Sequence, residues 1–509
     1  MYLDLTDALF TADARNNAVT PHAEYRDDLL RLAGAVSEFD GDTARGVIYD
    51  RFGGFLMRRC EKPSLYIVGG AVRNALLNLP VGDYDVASRL LPGDIEKIAQ
   101  SLGIEYVPKG VKYGAVGLRF PSGLTVEHTT FRHDEYGGDG AHRPESVRFT
   151  DDMLTDALRR DFSANALYYD PLKCELFDPT GRGYADTLSR TLRTTTEDAG
   201  KILGNDGVRM LRLARFCAEL NFAPDEAALL AAKESVSLIK SLSAKRIRSE
   251  LDRLLLADAA YSDEEAGFSP SPSEPWKNRC YIALSLLKSI GALELIFPEL
   301  PPSGVKFSED RLRLPLHEKL LRTSALMPPK LHLRLAGLFH DIGRAHINDP
   351  RHLDHVRHPK LGAEIAEGAL SRLGYDKSAV RSVKRLVELH AFDAFGRLDE
   401  AHLRRRFANF GRELSQGLCL LRSAADRTER RCDSSPAVRW RRVYDQMVSE
   451  NAPFSVGELN CTGDDVMQFL GIPPSRRVAD ILHALLEHAA QHPEDNTKER
   501  LLELARNKL

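Results

Sequence analysis

No stretch of this 509-residue chain runs for the roughly 18–20 uninterrupted apolar positions that a membrane helix needs. The N-terminus, MYLDLTDALFTADARNN, has acids and no long apolar core, so it does not read as a signal peptide. A cytoplasmic protein with no membrane partner is expected. Cysteine is sparse: seven residues (60, 174, 217, 280, 419, 432 and 461), odd in number and never spaced as CxxC. That argues against a disulfide framework and a thiolate zinc site, leaving small buried hydrophobes or surface thiols. A dominant charge is missing too. Lys and Arg number 70 against 73 Asp and Glu, a formal net charge of -3, so the sum advertises no nucleic-acid partner. Placement matters more than the sum. Arginines gather at Arg143–Arg215 and Arg404–Arg442, where interleaved acids also fit helix faces solvated by mixed charge.

What is present is ordinary for a globular protein: 43% hydrophobic and 28% charged residues. The length is too great for one core and suggests three or four domains. Residues 1–60 read as a helical extension, with helical apolar spacing in DDLLRLAGAV. A compact α/β head is expected over 61–190: SLYIVGGAV, GAVGLRF and GLTVEHTTF look like strands, with helical patterns between them. Helical periodicity then dominates, giving a neck at 191–260, a helical domain at 277–396 and a helical tail at 397–509. The Ser/Pro-rich SDEEAGFSPSPSEPW (262–276) interrupts it as a loop or linker.

The segment LYIVGGAVRNALLNLPVGDYDVA (65–87) carries the chemistry. A strand ends at Gly69-Gly70, a helix follows, and a second strand is expected to hold Asp83 and Asp85 on one face with Tyr84 on the other. Two carboxylates a strand pitch apart repel unless cations lie between them. A divalent pair there would activate a hydroxyl and stabilise a leaving pyrophosphate. The glycines let backbone amides approach a phosphate at the next helix's positive end, and Arg73 adds a fixed charge. A lone DxD is more often a solvated surface turn; strand, Gly-Gly, helix and DxD together are far more specific.

This signature resembles that of class II CCA-adding enzymes and bacterial poly(A) polymerases, which are polymerase-β-like nucleotidyltransferases. The resemblance continues through TVEHTTFR (125–132), 143–170, 176–194 and NDGVRMLRLARFCAEL (205–220). It implies an α+β fold: a nucleotidyltransferase head followed by an elongated all-α neck, body and tail. It makes Asp83 and Asp85 the Mg²⁺ ligands and Gly69, Gly70 and Arg73 triphosphate contacts. Glu127, on the alternating strand 125–131, is a candidate third acid, or an ordinary polar strand position. Arg159 and Arg160 would meet phosphates, Arg212 would join the nucleotide contacts, and Asp161 and Asn165 would sense ribose hydroxyls; a turn cap at Asp161 is the structural alternative. The family's acid after the arginine of GGxVR is here Asn74, and no metal is placed on it. The glycine-containing stretch 132–151 resembles the family's mobile loop at full length, which a CC-only enzyme is expected to have shortened.

Cytosine and adenine both present an amino donor beside a ring-nitrogen acceptor, whereas uracil and guanine present the reverse. A carboxylate and a guanidinium side by side would therefore accept C and A and reject U and G. Asp206 and Arg209, at i and i+3, share one helix face, above a stripe of Met210, Leu213, Ala214, Cys217 and Leu220. Spacing alone fits an exposed ion pair; the resemblance to the family's EDxxR template implies base reading. Asn205 replaces the usual glutamate, and Gly207 is expected to loosen the helix start, leaving A-only or CC-only addition open.

Further on, His317, His340-Asp341 and Asp426 are spaced as in HD-type metal phosphohydrolase domains, with His358 and His390 as extra ligands or phosphate contacts. A divalent transition metal there, or an inert scaffold, are both open. The tail resembles the RNA-side segment of the same enzymes, which with Arg404–Arg442 would track tRNA phosphates. The expected protein is a monomer or homodimer acting on tRNA with CTP and ATP. Alternatives are an A-adding, CC-adding or poly(A) polymerase and, of a different class, an HD phosphohydrolase with an RNA-binding head.

Overall fold

Between Tyr66 and Phe177 lie the seven strands of the main sheet: β1 (Tyr66–Val68), β2 (Tyr84–Ser88), β3 (Glu105–Gly110), β4 (Ala115–Arg119), β5 (Thr125–Thr130), β6 (Tyr168–Asp170) and β7 (Glu175–Phe177). The computed structural model describes residues 5–10, 22–39, 48–49, 55–56, 62–136, 145–301, 314–347, 357–428 and 436–506. It joins the strands in one sheet, ordered β7-β6-β1-β2-β5-β4-β3. The β2–β5 pair is parallel and every other pair antiparallel. Along β5 the odd residues, Glu127 among them, point to the more open face, while Val126, His128 and Thr130 are buried. The short helix α1 (Gly70–Leu76) connects β1 to β2 and packs Ala71, Val72 and Ala75 into the core.

β2 begins one residue later than expected. Asp83 lies just ahead of the strand and only Asp85 lies in it. Tyr84 between them is buried, and its hydroxyl donates to the Leu9 carbonyl at 2.7 Å. The two carboxylates still face away from Tyr84, which is anchored on the inner side.

The N-terminal helix His22–Glu38 is part of the head's core. Leu29, Leu32, Ala33 and Val36, at the spacing that marked the helix, are fully buried and cluster with Ile67, Val86 and Val126. The Ser122 hydroxyl donates to Asp28 at 2.6 Å across the same contact.

Two compact units divide the chain: residues 1–269 with 286–296, and 270–285 with 297–509. The first division falls inside the Ser/Pro-rich segment. In the first unit the helices α2 (Val208–Glu219) and α3 (Ala244–Leu255) follow the sheet. The second unit contains α4 (Leu316–Leu326), α5 (Leu331–Phe339), α6 (Arg357–Arg372), α7 (Lys377–Leu389), α8 (Glu400–Phe410), α9 (Arg412–Thr428), α10 (Pro436–Ser449) and α11 (Arg476–Gln491). The fold is α+β, a mixed-sheet head with a helical remainder. Among the described residues no helix is long and apolar enough to cross a membrane. Cys217, Cys280, Cys419 and Cys461 are free and buried and Cys174 is free and exposed, as expected; Cys60 and Cys432 lie outside the described residues.

Leu32→Ala empties a fully buried position and is expected to cost about 2–5 kcal/mol in urea unfolding. A loss below about 0.5 kcal/mol, the range of surface substitutions, would remove this helix from the core.

Candidate active site

The β1–α1 turn, the start of β2 and the start of α2 enclose a cavity of about 590 Å³. Asp83, Asp85, Gly69, Gly70, Arg73, Arg159, Arg160, Asp161, Asn165, Asp206, Arg209 and Arg212 all line it. Arginines outnumber aspartates eight to five on its wall, so the local charge is strongly positive although the chain is slightly acidic. A polyanion is the ligand class such a wall attracts. Glu127 is absent from the wall. It sits opposite Asp85 in the parallel β2–β5 register, and the three acids do not converge as tightly as the histidine-containing cluster described below. Burial, then the neighbouring Asp83 and Glu127 charges, push the Asp85 carboxyl up to about 6. Arg160 and Arg212 offset this only in part, and an acid pair whose mutual repulsion is not fully answered is suited to a divalent cation.

The basic wall rests on a buried network. Asp156, fully buried in the short helix Met153–Leu158, accepts from Arg159 Nε at 2.9 Å, Arg160 Nη2 at 3.1 Å and the Tyr168 hydroxyl at 2.6 Å. Burial alone would raise its carboxyl, but Arg159 and Arg160 outweigh that and hold it at about 2. Arg73 donates to Asn165 Oδ1 and, at 2.9 Å, to Asn74 Oδ1, while its guanidinium lies 5.1 Å from the Phe216 ring centroid. Burial lowers Arg73 to about 10, so it stays charged at neutral pH. Asn165 Nδ2 donates to Asp161 at 3.2 Å, and Arg212 Nε to the other Asp161 oxygen at 2.6 Å. Asp161 also accepts from the Phe162 amide at 2.8 Å, while the turn Ser163–Asn165 carries no side-chain cap. Burial works to raise Asp161, but Arg212 overrides it and keeps it ionised.

At the start of α2 the geometry differs from a simple helix face. Asp206 precedes the helix; its Oδ1 accepts from the Val208 amide at 3.0 Å and its Oδ2 from Arg246 of α3 at 2.5 Å. Arg209 donates to the carbonyls of Ile202 and Arg159, at 2.8 and 2.7 Å. The pair is thus not an exposed ion pair; each member is held separately at the cavity wall. The stripe Met210, Leu213, Ala214, Cys217 and Leu220 is buried as expected. Gly207 does not loosen the helix: a Cβ there would meet the Leu238 carbonyl oxygen at 2.8 Å, so glycine permits a close packing. Asn205 caps the preceding helix and is not on the cavity wall. Asp156, Arg246 and Tyr261 were not singled out in the sequence; only the acid three residues ahead of Arg159 and four ahead of Arg160 offered a local sign.

Of the loop 132–151, residues 137–144 lie outside the described residues, and its flanks Arg132–Glu135 and Ser146–Phe149 pair antiparallel. The arginines of 404–442 are largely committed to internal acids. Arg404 is buried against Glu450 at 2.7 Å, Arg412 pairs with Glu458 at 3.0 Å and Arg441 with Asp445 at 2.8 Å. Mixed-charge helix faces describe these three better than a phosphate track.

In the second unit, α5 delivers His340 and Asp341, α6 His358, and α7 His390. Close passage of α6 depends on Gly343, whose Cβ would lie 2.1 Å from the His358 carbonyl oxygen. Among the described residues Asp341, His358 and His390 form the one set of three potential metal donors within 4.8 Å of one another. Of the expected set, His340, Asp341 and Asp426 line one pocket together with His390. His317 does not line the pocket formed by His340, Asp341, His390 and Asp426, and Asp426 accepts from Arg422 at 3.0 Å. Lys319, two residues beyond His317 and so on another helix face, reaches Asp341 at 2.8 Å instead.

Residues 65–193 match the family model described as the poly A polymerase head domain, and residues 318–431 match the HD domain. Around this head the chain is 35% identical over 196 residues to a CCA-adding enzyme of Limosilactobacillus fermentum, covering 38% of this chain and 46% of that one. It is 35% identical over 191 residues to a CCA-adding enzyme of Geobacillus stearothermophilus, covering 37% and 45%. The matches thus span slightly under half the length of these curated relatives. The solved CCA-adding enzyme of Bacillus stearothermophilus in complex with CTP superposes with a TM-score of 0.60 at 24% identity, over 88% of this chain and 93% of that one. That of Thermotoga maritima complexed with tRNA gives 0.53 at 16% identity, over 87% and 91%. The chain therefore shares its fold with the solved CCA-adding enzymes.

The buried Asp156 under the head's arginines sets a pH dependence. Its folded value lies below the ordinary value of about 3.9, so the stability it contributes is complete above that and lost as pH falls toward about 2. Asp156→Asn is expected to be less stable than the parent by about 3–5 kcal/mol near pH 6, with the gap closing as unfolding is measured at falling pH. A gap that does not change with pH would contradict the assignment. Gly207→Ala is expected to lose about 1–3 kcal/mol in the same assay.

Proposed function

We propose that this protein adds or repairs the 3′-terminal CCA of tRNA, transferring CMP and AMP from CTP and ATP with release of pyrophosphate. The observation that carries this reading is one cavity holding three things together: the Asp83/Asp85 pair, an arginine-rich wall and the Asp206/Arg209 edge. Relatives named as CCA-adding enzymes, one solved with CTP and one with tRNA, support it.

Asp83 and Asp85 would hold Mg²⁺, with Glu127 behind Asp85 as the third acid. The bound metal would supply activation of the tRNA 3′-hydroxyl and charge stabilisation for departing pyrophosphate. Arg73, Arg159, Arg160 and Arg212 bind and orient the triphosphate through fixed guanidinium donors, next to the Gly69-Gly70 backbone. Asp161 and Asn165, already locked by Arg212 and Arg73, face the ribose. Asp206 accepts from the exocyclic amino group of C or A, and Arg209 donates to the adjacent ring nitrogen. Two of Arg209's five donors hold backbone carbonyls, which leaves others for a base. Preorganisation of this edge is what lets a protein replace a template: no reorganisation accompanies the correct base, and U or G leaves buried groups unpaired.

The test is addition to a tRNA lacking its CCA end, with CTP alone, ATP alone and both, resolved at single-nucleotide length. Two C then one A, stopping there, is expected; A alone, C alone or a long A ladder would move the protein to an A-adding, CC-adding or poly(A) activity. Asp83→Ala and Asp85→Ala should each lower addition by at least about 10²–10³-fold while the protein stays folded. Full activity in either would overturn the catalytic assignment. Asn205→Glu should leave the ratio of C to A addition unchanged.

A further inference from the structure

We infer, resting on the nucleotide-addition reading of the head cavity, that Phe216 is a positioning residue for the triphosphate: its ring steadies the Arg73 and Arg212 guanidiniums at the cavity wall without neutralising either. Phe216, on α2, is 5% exposed and lines the cavity. Three guanidinium carbons lie over its ring, those of Arg73 at 5.1 Å, Arg212 at 5.1 Å and Arg215 at 4.1 Å from the centroid. All three fall inside the roughly 6 Å over which a cation is drawn to an aromatic face. Arg212 and Phe216 stand at i and i+4 on one helix, so their approach is local. Arg73 comes from α1, and only the tertiary structure brings it over the ring.

The three arginines differ in how their charge is answered. Arg215 donates to Glu250 at 2.6 Å and Glu219 at 2.8 Å, so two carboxylates meet it and it braces the ring from the buried side. Arg212 spends Nε on Asp161 at 2.6 Å, and the four donors of its Nη groups remain for a ligand. Arg73 has amide partners instead, Asn74 Oδ1 at 2.9 Å and Asn165 Oδ1; among the described residues no carboxylate pairs with it. A carboxylate would cancel the charge that a phosphate seeks. An aromatic ring has a quadrupole but no net charge, so it stabilises a buried cation and leaves it positive.

The ring is itself fixed. Phe162 meets it edge to face, with centroids 6.0 Å apart and planes at 89°. Phe162 is fully buried and directly follows Asp161, the acceptor for Arg212. Ring plane, Asp161 and both guanidiniums are therefore held together, and an arginine already held loses less freedom when a phosphate binds. A packing role for Phe216 depends on the volume of its side chain. The positioning role depends on the ring's quadrupole, which fluorine withdraws with little change of shape.

The full chain is prepared as Phe216→Leu and with Phe216 replaced in turn by mono-, di- and trifluorophenylalanine, each checked by thermal unfolding. Inorganic tripolyphosphate with Mg²⁺ is titrated by calorimetry, because it carries the phosphates without base or ribose. Its Kd is expected to rise stepwise with fluorine content and by about 10-fold in Phe216→Leu. KM for CTP and for ATP should rise by the same factor, with kcat and the ratio of C to A addition little changed. The fluorinated proteins keep the test decisive where Phe216→Leu does not fold. An equal or tighter tripolyphosphate Kd in the folded trifluoro protein, or a fall in kcat with KM unchanged, would overturn the inference. Stepwise weakening in a chain that adds no nucleotide would instead sink the CCA reading and support the role of the ring.

Discussion

One run of hydrogen bonds, Asn74–Arg73–Asn165–Asp161–Arg212, fixes the geometry of the head cavity. It joins the turn after β1, the short turn at Ser163–Asn165 and helix α2, three segments brought together only by folding. Arg73 is buried, and a guanidinium taken out of water is costly unless its donors are met. Here two side-chain oxygens and an aromatic face meet them. Breaking any member would leave a buried charge or donor unpaired, so the run behaves as a unit. The acid pair at the head of β2 and the Asp206/Arg209 edge keep their separation because both are built on segments that this run ties down.

A second layer of charge lies beneath the first. Asp156 balances Arg159 and Arg160 from below, and Glu250 and Glu219 balance Arg215 at 2.6 and 2.8 Å. With each arginine's charge partly answered from within, its outward donors are fixed without making the whole wall repel itself. Helix α3 contributes twice, through Glu250 and through Arg246 on Asp206. The neck is therefore part of the cavity's support.

Sequence patterns disclosed the parts of this design that repeat locally. Period-two alternation located β5, and helical spacing located both the Leu29–Val36 stripe and the Met210–Leu220 stripe. The glycine turn and the two aspartates stood out because their chemistry needs rare residues close together. What stayed hidden depends on partners far apart in the chain. Asp206 and Arg246 are separated by 40 residues, and Asp341 and His390 by 49. Nothing in the local pattern says which arginine will be paired from below or which histidine will turn inward. His317 and Lys319 show the limit most sharply. Two residues of helical phase separate His317 from Lys319, the side chain that reaches Asp341, and a motif's spacing does not contain that phase.

The two places where an amide stands in for a family acid can be understood from their partners. Asn74 Nδ2 donates to the Pro80 carbonyl and meets the Tyr261 hydroxyl, both at 2.9 Å, while its Oδ1 accepts from Arg73. A carboxylate could replace the acceptor but not the donor, and would set an oxygen against the Pro80 carbonyl. Asn74 is thus matched to this cavity as built, and its neutrality is consistent with a role in holding Arg73 rather than a metal. Asn205 lies off the wall, at the end of the preceding helix. Asn205 thus removes no charge from the cavity wall, whereas Asn74 lines that wall as a neutral group. Asp206 and Arg209 are held by α3 and by backbone carbonyls, not by the residue that differs.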